Sequence, residues 1–294
     1  MSAILNVFAG NKVNPGIFQA TLSRLFSRGS RSRRQEQPPQ RHKLIFESLE
    51  PRILLSGDLA PLAEAGLITP AGATTDVARW VGGSGNWSDA SNWNIGIAPT
   101  NTGTTAYQVI IDVAGTPTIT LDQDVSINTL SNAENLVLQG YTLTISQQTI
   151  NSGTILLDDA AAQFNLSGTV TASGVIDADM GALNLSGATL TVDGVGASIT
   201  ADHAASLGTS SLYASNGGTL SLLGATSFTS GGAGNTIQAT GAGSRIDLSG
   251  LTSLAGGSSG NTQIKALSGG ELLLSGAVTG RTIWTLDGTG DRKS

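Results

Sequence analysis

The stretch TIQATGAGSRIDLSGLTSLAGGSSGNTQIKALSGGELLLSGAVTG (Thr236–Gly280) decides the fold. It contains the same passage twice. TIQATGAGSRIDLSG (from Thr236) returns as QIKALSGGELLLSG (from Gln263), and the copies close on Gly250 and Gly276. Within each copy apolar and polar residues alternate over a short run. Gly, Ser or Asn follows at every interruption, which is the pattern of short strands between turns. A spacing of about two dozen residues per copy is that of a β-solenoid coil, in which strand–turn units stack and bury their aliphatic rows together.

Working outward, SLYASNGGTLSLLG (from Ser211) and VIDADMGALNLSG (from Val175) align as earlier copies. The glycines closing the second strand are then Gly187, Gly224, Gly250 and Gly276. GGAGNTIQA (Gly231–Ala239) recurs as GGSSGNTQIKA (Gly256–Ala266), and Gly168 precedes Gly187 at a somewhat shorter interval. Further upstream VIIDV (109–113), TPTITL (Thr116–Leu121), ENLVLQGYTLTI (Glu134–Ile145) and GTILLDD (Gly153–Asp159) alternate in the same way. The expected fold is all-β, a parallel β-helix of about 7–9 coils over residues 104–294. An antiparallel β-sandwich also fits frequent turns. The regular glycine spacing favours the solenoid.

Composition agrees. Of 294 residues only 12% are charged and 4% aromatic, while glycines number 39. That charge content is about half the globular norm, and the glycine content well above it. Cysteine is absent, which excludes disulfides and thiolate metal sites. No apolar run reaches the length of a membrane-spanning helix.

Charge divides the chain. Residues 1–56 carry nine Lys/Arg against three acids, a net of +6, and residues 57–294 carry the remaining −12. The segment Arg28–Arg41 is basic without interleaved aromatics, and Pro38-Pro39 marks it as extended linker. It therefore reads as a solvated arm over residues 1–45, with no specific nucleic-acid site. GIFQATLSRLF (Gly16–Phe26) can form a short amphipathic helix. The first apolar stretch, Ala3–Gly10, is short and lacks a preceding basic region, so no ordinary secretory signal peptide is recognisable.

FESLEPRILLSGD (residues 46–58) follows. Leu49-Glu50-Pro51-Arg52-Ile53-Leu54-Leu55 matches L-E-P-R-x-L-L at every fixed position, namely Leu49, Glu50, Pro51, Arg52, Leu54 and Leu55. The chain thus resembles proteins carrying the LEPR-XLL domain, found near the N-terminus of very large repetitive proteins of planctomycetes and other Gram-negative bacteria. The resemblance implies a sorting or processing element, an extracellular or cell-surface location, and export machinery as a partner of the arm. It is confined to this one short string.

A linker is expected over 59–78, then a tryptophan-rich segment over 79–103. WVGGSGNWSDASNW (Trp80–Trp93) holds three of the four tryptophans. Two readings apply. Exposed rings of Trp80, Trp87 and Trp93 would stack on carbohydrate, making extracellular glycans a partner. Alternatively the rings form an aromatic cap on the β-structure that follows, which suits their position and the scarcity of aromatics elsewhere. The box, with Pro99 and YQVIIDV (Tyr107–Val113) after it, is similar to one recurring in autotransporter-like passengers.

Catalysis is not expected. The histidines are His42 in the arm and His203, and neither is paired with a recognisable nucleophile. Asp177 and Asp179 share a strand face as i and i+2. The alignment places Tyr213, Gln238 and Lys265 in the column of Asp177, so the acids read as solvated edge charges. The enzymatic alternative is a solenoid polysaccharide lyase or hydrolase. GGAGNTIQA approaches a calcium-binding nonapeptide, but Thr236 and Thr262 stand where the carboxylate is required. Asp122/Asp124 and Asp287/Asp291 lack an EF-hand ligand series. No cofactor is expected. The expected function is a non-catalytic, adhesin-like structural repeat protein. The strands run to Arg281–Gly288 and TGDRKS ends the chain without a terminal cap, which suggests a truncated reading frame or a short relative of a larger protein.

Overall fold

A computed structural model of the chain describes residues 74–287. The arm, the motif with Leu49, Glu50, Pro51, Arg52, Leu54 and Leu55, and His42 lie outside the described residues. The described part is a β-solenoid. One ladder climbs from Thr74–Arg79 through Thr105–Ile111, Val125–Asn132 and Thr142–Asn151 to Thr282–Leu286. A second, of nine strands, runs from Gly85–Asn86 to Glu271–Leu274. Both sheets advance one strand per turn, giving about nine turns. At ~4.8 Å per turn the stack rises about 40 Å.

Every strand-to-strand ladder among the described residues is parallel, as between Thr169–Ala172 and Thr189–Asp193 or Thr219–Ser221 and Arg245–Leu248. The two antiparallel contacts there are the isolated bridges Trp80–Trp93 and Gly257–Arg281. Parallel pairing excludes the sandwich, whose strands pair antiparallel. Register explains the alternation. Ile119, Leu136, Ile155, Ile176, Ile199, Leu220, Ile246 and Leu272 form one unbroken inward row. All are buried. Each such side chain contributes about 1.5–3 kcal/mol by leaving water.

The cross-section changes along the stack. In early turns single long strands serve two faces. Thr142–Asn151 pairs through its first half with Gln163–Leu166 and through its second with Thr169–Ala172. From there on a corner divides them. Gly168 makes the corner, with φ +71°, and a β-carbon there would collide with the Gln147 carbonyl of the turn below. Later turns therefore have three short sides. The third is built by Gln163–Leu166, Ala182–Asn184 and Ala204–Ser206, and then by Ser227–Thr229, Ser253–Ala255 and Ala277–Thr279.

This three-sided turn corrects the alignment drawn from sequence. The copies starting at Ser211, Thr236 and Gln263 do stack, with Leu212, Ile237 and Ile264 in one row. The copy at Val175 belongs to a different side, since Val175 pairs with Ser198. Gly187 likewise sits at the corner before Thr189–Asp193, whereas Gly224, Gly250 and Gly276 follow strands of the second sheet. Leu-Ser-Gly strings occur at more than one corner, so a match between two of them need not be one full turn.

The first rung also begins earlier than expected. Thr74–Arg79 pairs residue for residue with Thr105–Ile110, inside the stretch read as linker. Its alternation is hidden because Ala78 is its one buried side chain.

One core position is mismatched. Thr149 lies in an inward row between Leu130 and Val170, fully buried. Among the described residues its Oγ1 has no hydrogen-bond partner. Thr149→Val removes that orphan at nearly constant shape and should raise stability by about 1 kcal/mol in urea unfolding. A loss of stability would show the hydroxyl to be engaged.

Candidate functional site

The tryptophan box forms most of the first turn. Trp80 follows Arg79, and its backbone N–H donates to the Ile110 carbonyl, which carries the ladder one residue further. Trp87 continues the Gly85–Asn86 strand, its N–H donating to the Thr120 carbonyl. Trp93 stands between them. Its ring lies 5.0 Å from that of Trp80 at 89° and 4.7 Å from that of Trp87 at 62°. Each indole N–H is satisfied locally. Trp80 donates to Gly83 O at 2.9 Å, Trp87 to Pro99 O at 3.1 Å and Trp93 to Trp87 O at 2.8 Å. The glycines permit this closure, since a β-carbon on Gly82 would strike the Asn92 side chain.

All three rings are buried, at 2%, 0% and 2% exposure. The expectation of sugar stacking on Trp80, Trp87 and Trp93 is therefore corrected. An aromatic platform must offer a bare face, and these faces pack on one another and on the core.

No protein-family model matches the chain, and no curated protein and no solved structure matches it either.

Carboxylates gather at the corner after the second sheet. Asp177 is on that sheet and Asp179 two residues on; the Asp179 N–H donates to Asp177 Oδ1 at 3.1 Å. On the next turn the Asp202 N–H donates to Asp179 Oδ1 at 3.2 Å. Partial burial, then the charges of Asp179, Asp177 and Asp247, hold the Asp202 carboxyl above the usual carboxylate range. The column through Asp177 is Leu156, Asp177, Thr200, Ser221, Asp247 and Leu273, which replaces the expected Tyr213, Gln238 and Lys265. Those three stack on Thr191 in the first sheet.

Asp247 behaves differently from Asp202. Burial pushes its carboxyl up, but hydrogen bonds from Ser249 and Arg245, with the Arg245 charge, outweigh this and hold it below the usual range. Arg245 Nη2 lies 2.7 Å from Asp247 Oδ2, and Arg245 Nη1 lies 3.8 Å from Glu271 Oε2. His203 is exposed beside Asp202.

The other acids singled out in the sequence tie turns together. Asp122 accepts from the N–H and hydroxyl of Ser88, and Asp124 from the Thr142 N–H. Asp287 accepts from the Ser268 N–H, while Asp291 lies outside the described residues. Among the described residues no group of three or more Asp, Glu or His is arranged to hold a metal ion. The glycine-rich loops are stacked turns. Asn235 Oδ1 accepts from Ser230 and Gly231, its Nδ2 donates to Thr209 O, and the Ser259 and Gly260 N–H groups donate to Gly232 O. Thr262 Oγ1 accepts from the Gly257 N–H.

Sequence reasoning missed a buried polar ladder. Asn132 and Asn151 point into the core one turn apart, and Asn132 Nδ2 donates to Asn151 Oδ1 at 2.9 Å. Glu134, also buried, accepts from the Val113 N–H. The readable signal was the separation of the two asparagines, which equals that of Gly168 and Gly187 and amounts to one turn.

Outside these clusters the sheets present polar rows. Thr171, Thr191, Tyr213, Gln238, Lys265 and Thr285 form one. Thr169, Thr189 and Ser211 form its neighbour. Among the described residues no helix is long and apolar enough to cross a membrane.

Proposed function

We propose that the protein is an extracellular or cell-surface structural repeat protein of the adhesin-like kind, related to the large repetitive proteins that carry the L-E-P-R-x-L-L motif. Its work is display. A stiff ladder repeats hydroxyl and amide side chains every ~4.8 Å, so weak contacts to glycans or cell-surface components add up through multivalency. The observation that carries this reading is the division of polar groups. Those at the corners hold turn to turn, while the outer row Thr171, Thr191, Tyr213, Gln238 and Lys265 stands half-exposed along the first sheet. The basic arm and residues 46–58 then act as the address read by export machinery. Fractionation of expressing cells tests it. Protein in the medium or on the surface is expected, and protein confined to the cytosol would refute it.

A second reading, a carbohydrate-active solenoid enzyme, draws on the acidic corner. Asp202 keeps its proton to higher pH beside Asp177 and Asp179, a combination suited to acid–base work. Turnover of acidic polysaccharides that disappears in Asp177→Asn and Asp179→Asn would establish it. No turnover by the unaltered chain removes it.

A further inference from the structure

The chain contains one Asn-Gly dipeptide, Asn216-Gly217. In such a pair the side-chain amide is open to attack by the following backbone nitrogen, because glycine has no β-carbon to shield it. Here the pair forms the corner between Ser211–Ser215 of the first sheet and Thr219–Ser221 of the second. Asn216 has φ +52° and Gly217 φ +88°, and the Gly218 N–H donates to Ser215 O at 2.9 Å. This is a type I′ turn, for which Asn-Gly is a preferred filling. The turn does not require asparagine, however. Two rungs on in the same column, Ser268 and Gly269 build it with φ +54° and +84°, and the Gly270 N–H donates to Leu267 O.

The reactive groups of the pair are held by the neighbouring turns. Asn216 Nδ2 donates to Asp193 Oδ1 of the turn below at 2.7 Å, and Ser215 Oγ donates to the same oxygen at 2.5 Å. The Gly217 N–H donates to Ser244 Oγ of the turn above at 3.0 Å. Ser244 is buried and is itself fixed by donating to Thr240 O at 2.7 Å. The Asn216 side chain is exposed, so water reaches it.

We propose that Asn216-Gly217 is a latent self-modification site, kept intact by these two inter-turn bonds and converted to aspartate or isoaspartate when the turns part. The Gly217 nitrogen bonds to Asn216 Cγ, the Cγ–Nδ2 bond breaks, and the Gly217 proton leaves with Nδ2 as ammonia. Water then opens the succinimide at either carbonyl, and nothing is oxidised or reduced. In the closed stack the Ser244 bond aims the Gly217 N–H at the turn above and away from Cγ. The Asp193 carboxylate holds the leaving nitrogen, and its charge opposes loss of the Gly217 proton. The change runs one way. A carboxylate at position 216 faces Asp193 where a donor stood, and like charges repel. Isoaspartate also lengthens the backbone of the turn by one carbon.

Peptide mapping by mass spectrometry tests this on the full chain, incubated in mildly alkaline buffer with and without guanidinium chloride. Two bonds at about ten-fold each should make conversion at Asn216 about a hundred-fold slower in the folded chain than in the unfolded one. Asp193→Ala and Ser244→Ala should each restore about ten-fold of that rate while the β-sheet circular dichroism persists. Asn216→Ser, which copies the turn at Ser268, should fold as before and abolish the mass gain. Conversion as fast in the folded chain as in the unfolded one overturns the proposal. So does a folded rate indifferent to both Asp193→Ala and Ser244→Ala. Should those variants unfold, hydrogen exchange in the unaltered chain decides: the Gly217 N–H must be protected, and rapid exchange there overturns the proposal. Asn216→Asp should speed exchange over Gly194–Ala197 and Ser215–Gly218, and unchanged exchange would refute the one-way opening.

Discussion

Trp87→Ala is expected to destabilise the solenoid by about 4 kcal/mol. The ring is 0% exposed and packs against Trp93 at 4.7 Å. Truncation leaves a cavity that its neighbours cannot fill, because Trp93 is itself pinned by the bond from its Nε1 to Trp87 O. The Pro99 carbonyl also loses its indole donor. Trp87→Phe separates the two contributions. It keeps most of the ring and forfeits the hydrogen bond, and should cost about 1–2 kcal/mol.

The location shapes the readout. In a solenoid each turn contacts its neighbours alone, so a defect in the first turn opens that end before the rest. Hydrogen exchange in Trp87→Ala should accelerate over residues 74–121 and change little past the middle of the stack. Since Trp284 is the one tryptophan outside the box, the emission change on heating reports mainly the first turn and should precede loss of the β-sheet signal. A melting temperature indistinguishable from wild type would mean that the tryptophans are not closing the core.

Much of this architecture was legible. Leucine and isoleucine at every second position, with a repeat that closes on Gly250 and again on Gly276, sufficed for a parallel solenoid and for its number of turns. What misled was local sameness. LNLSG ending at Gly187 and DLSG ending at Gly250 look like one turn seen twice, yet they are different corners. A corner needs a small residue and a permissive backbone whichever sides it joins, so its sequence carries little information about register. The same ambiguity hid the acidic corner, because the column through Asp177 depends on which side Val175 is assigned to. The tryptophans were legible as a cluster, but whether a ring faces solvent or core is set by the closure of Gly82 and Gly85 over Asn92, which composition does not reveal. Asn132 and Asn151 resembled turn formers because asparagine usually is one. Their burial follows from stacking alone.

That ladder is the basis of the second large effect. Asn151→Ala should cost about 3 kcal/mol. Asn151 Oδ1 accepts from Asn132, and its Nδ2 donates to the carbonyls of Gly153 at 3.0 Å and Val175 at 2.9 Å. Three polar groups in or beside the core each lose a bond at once, while Asn132 Nδ2 keeps the Glu134 carbonyl and the Gly153 carbonyl keeps the Val175 N–H. Asn132 is held as firmly on its own side, its Nδ2 donating to the Glu134 carbonyl at 2.9 Å and its Oδ1 accepting from the Glu134 N–H at 3.4 Å. Asn132→Ala should therefore cost a comparable amount, and the double replacement should fall short of the sum by about 1 kcal/mol, the worth of the bond between them. Thr149 sits two residues away in the same strand and is equally buried, yet its replacement is expected to act in the opposite direction. The difference lies in satisfaction, not polarity: the asparagine side chain bridges turns on both sides of its own, while the threonine hydroxyl meets no partner. Strict additivity in the Asn132/Asn151 cycle, measured by denaturant unfolding, would show that the two amides do not act as one ladder.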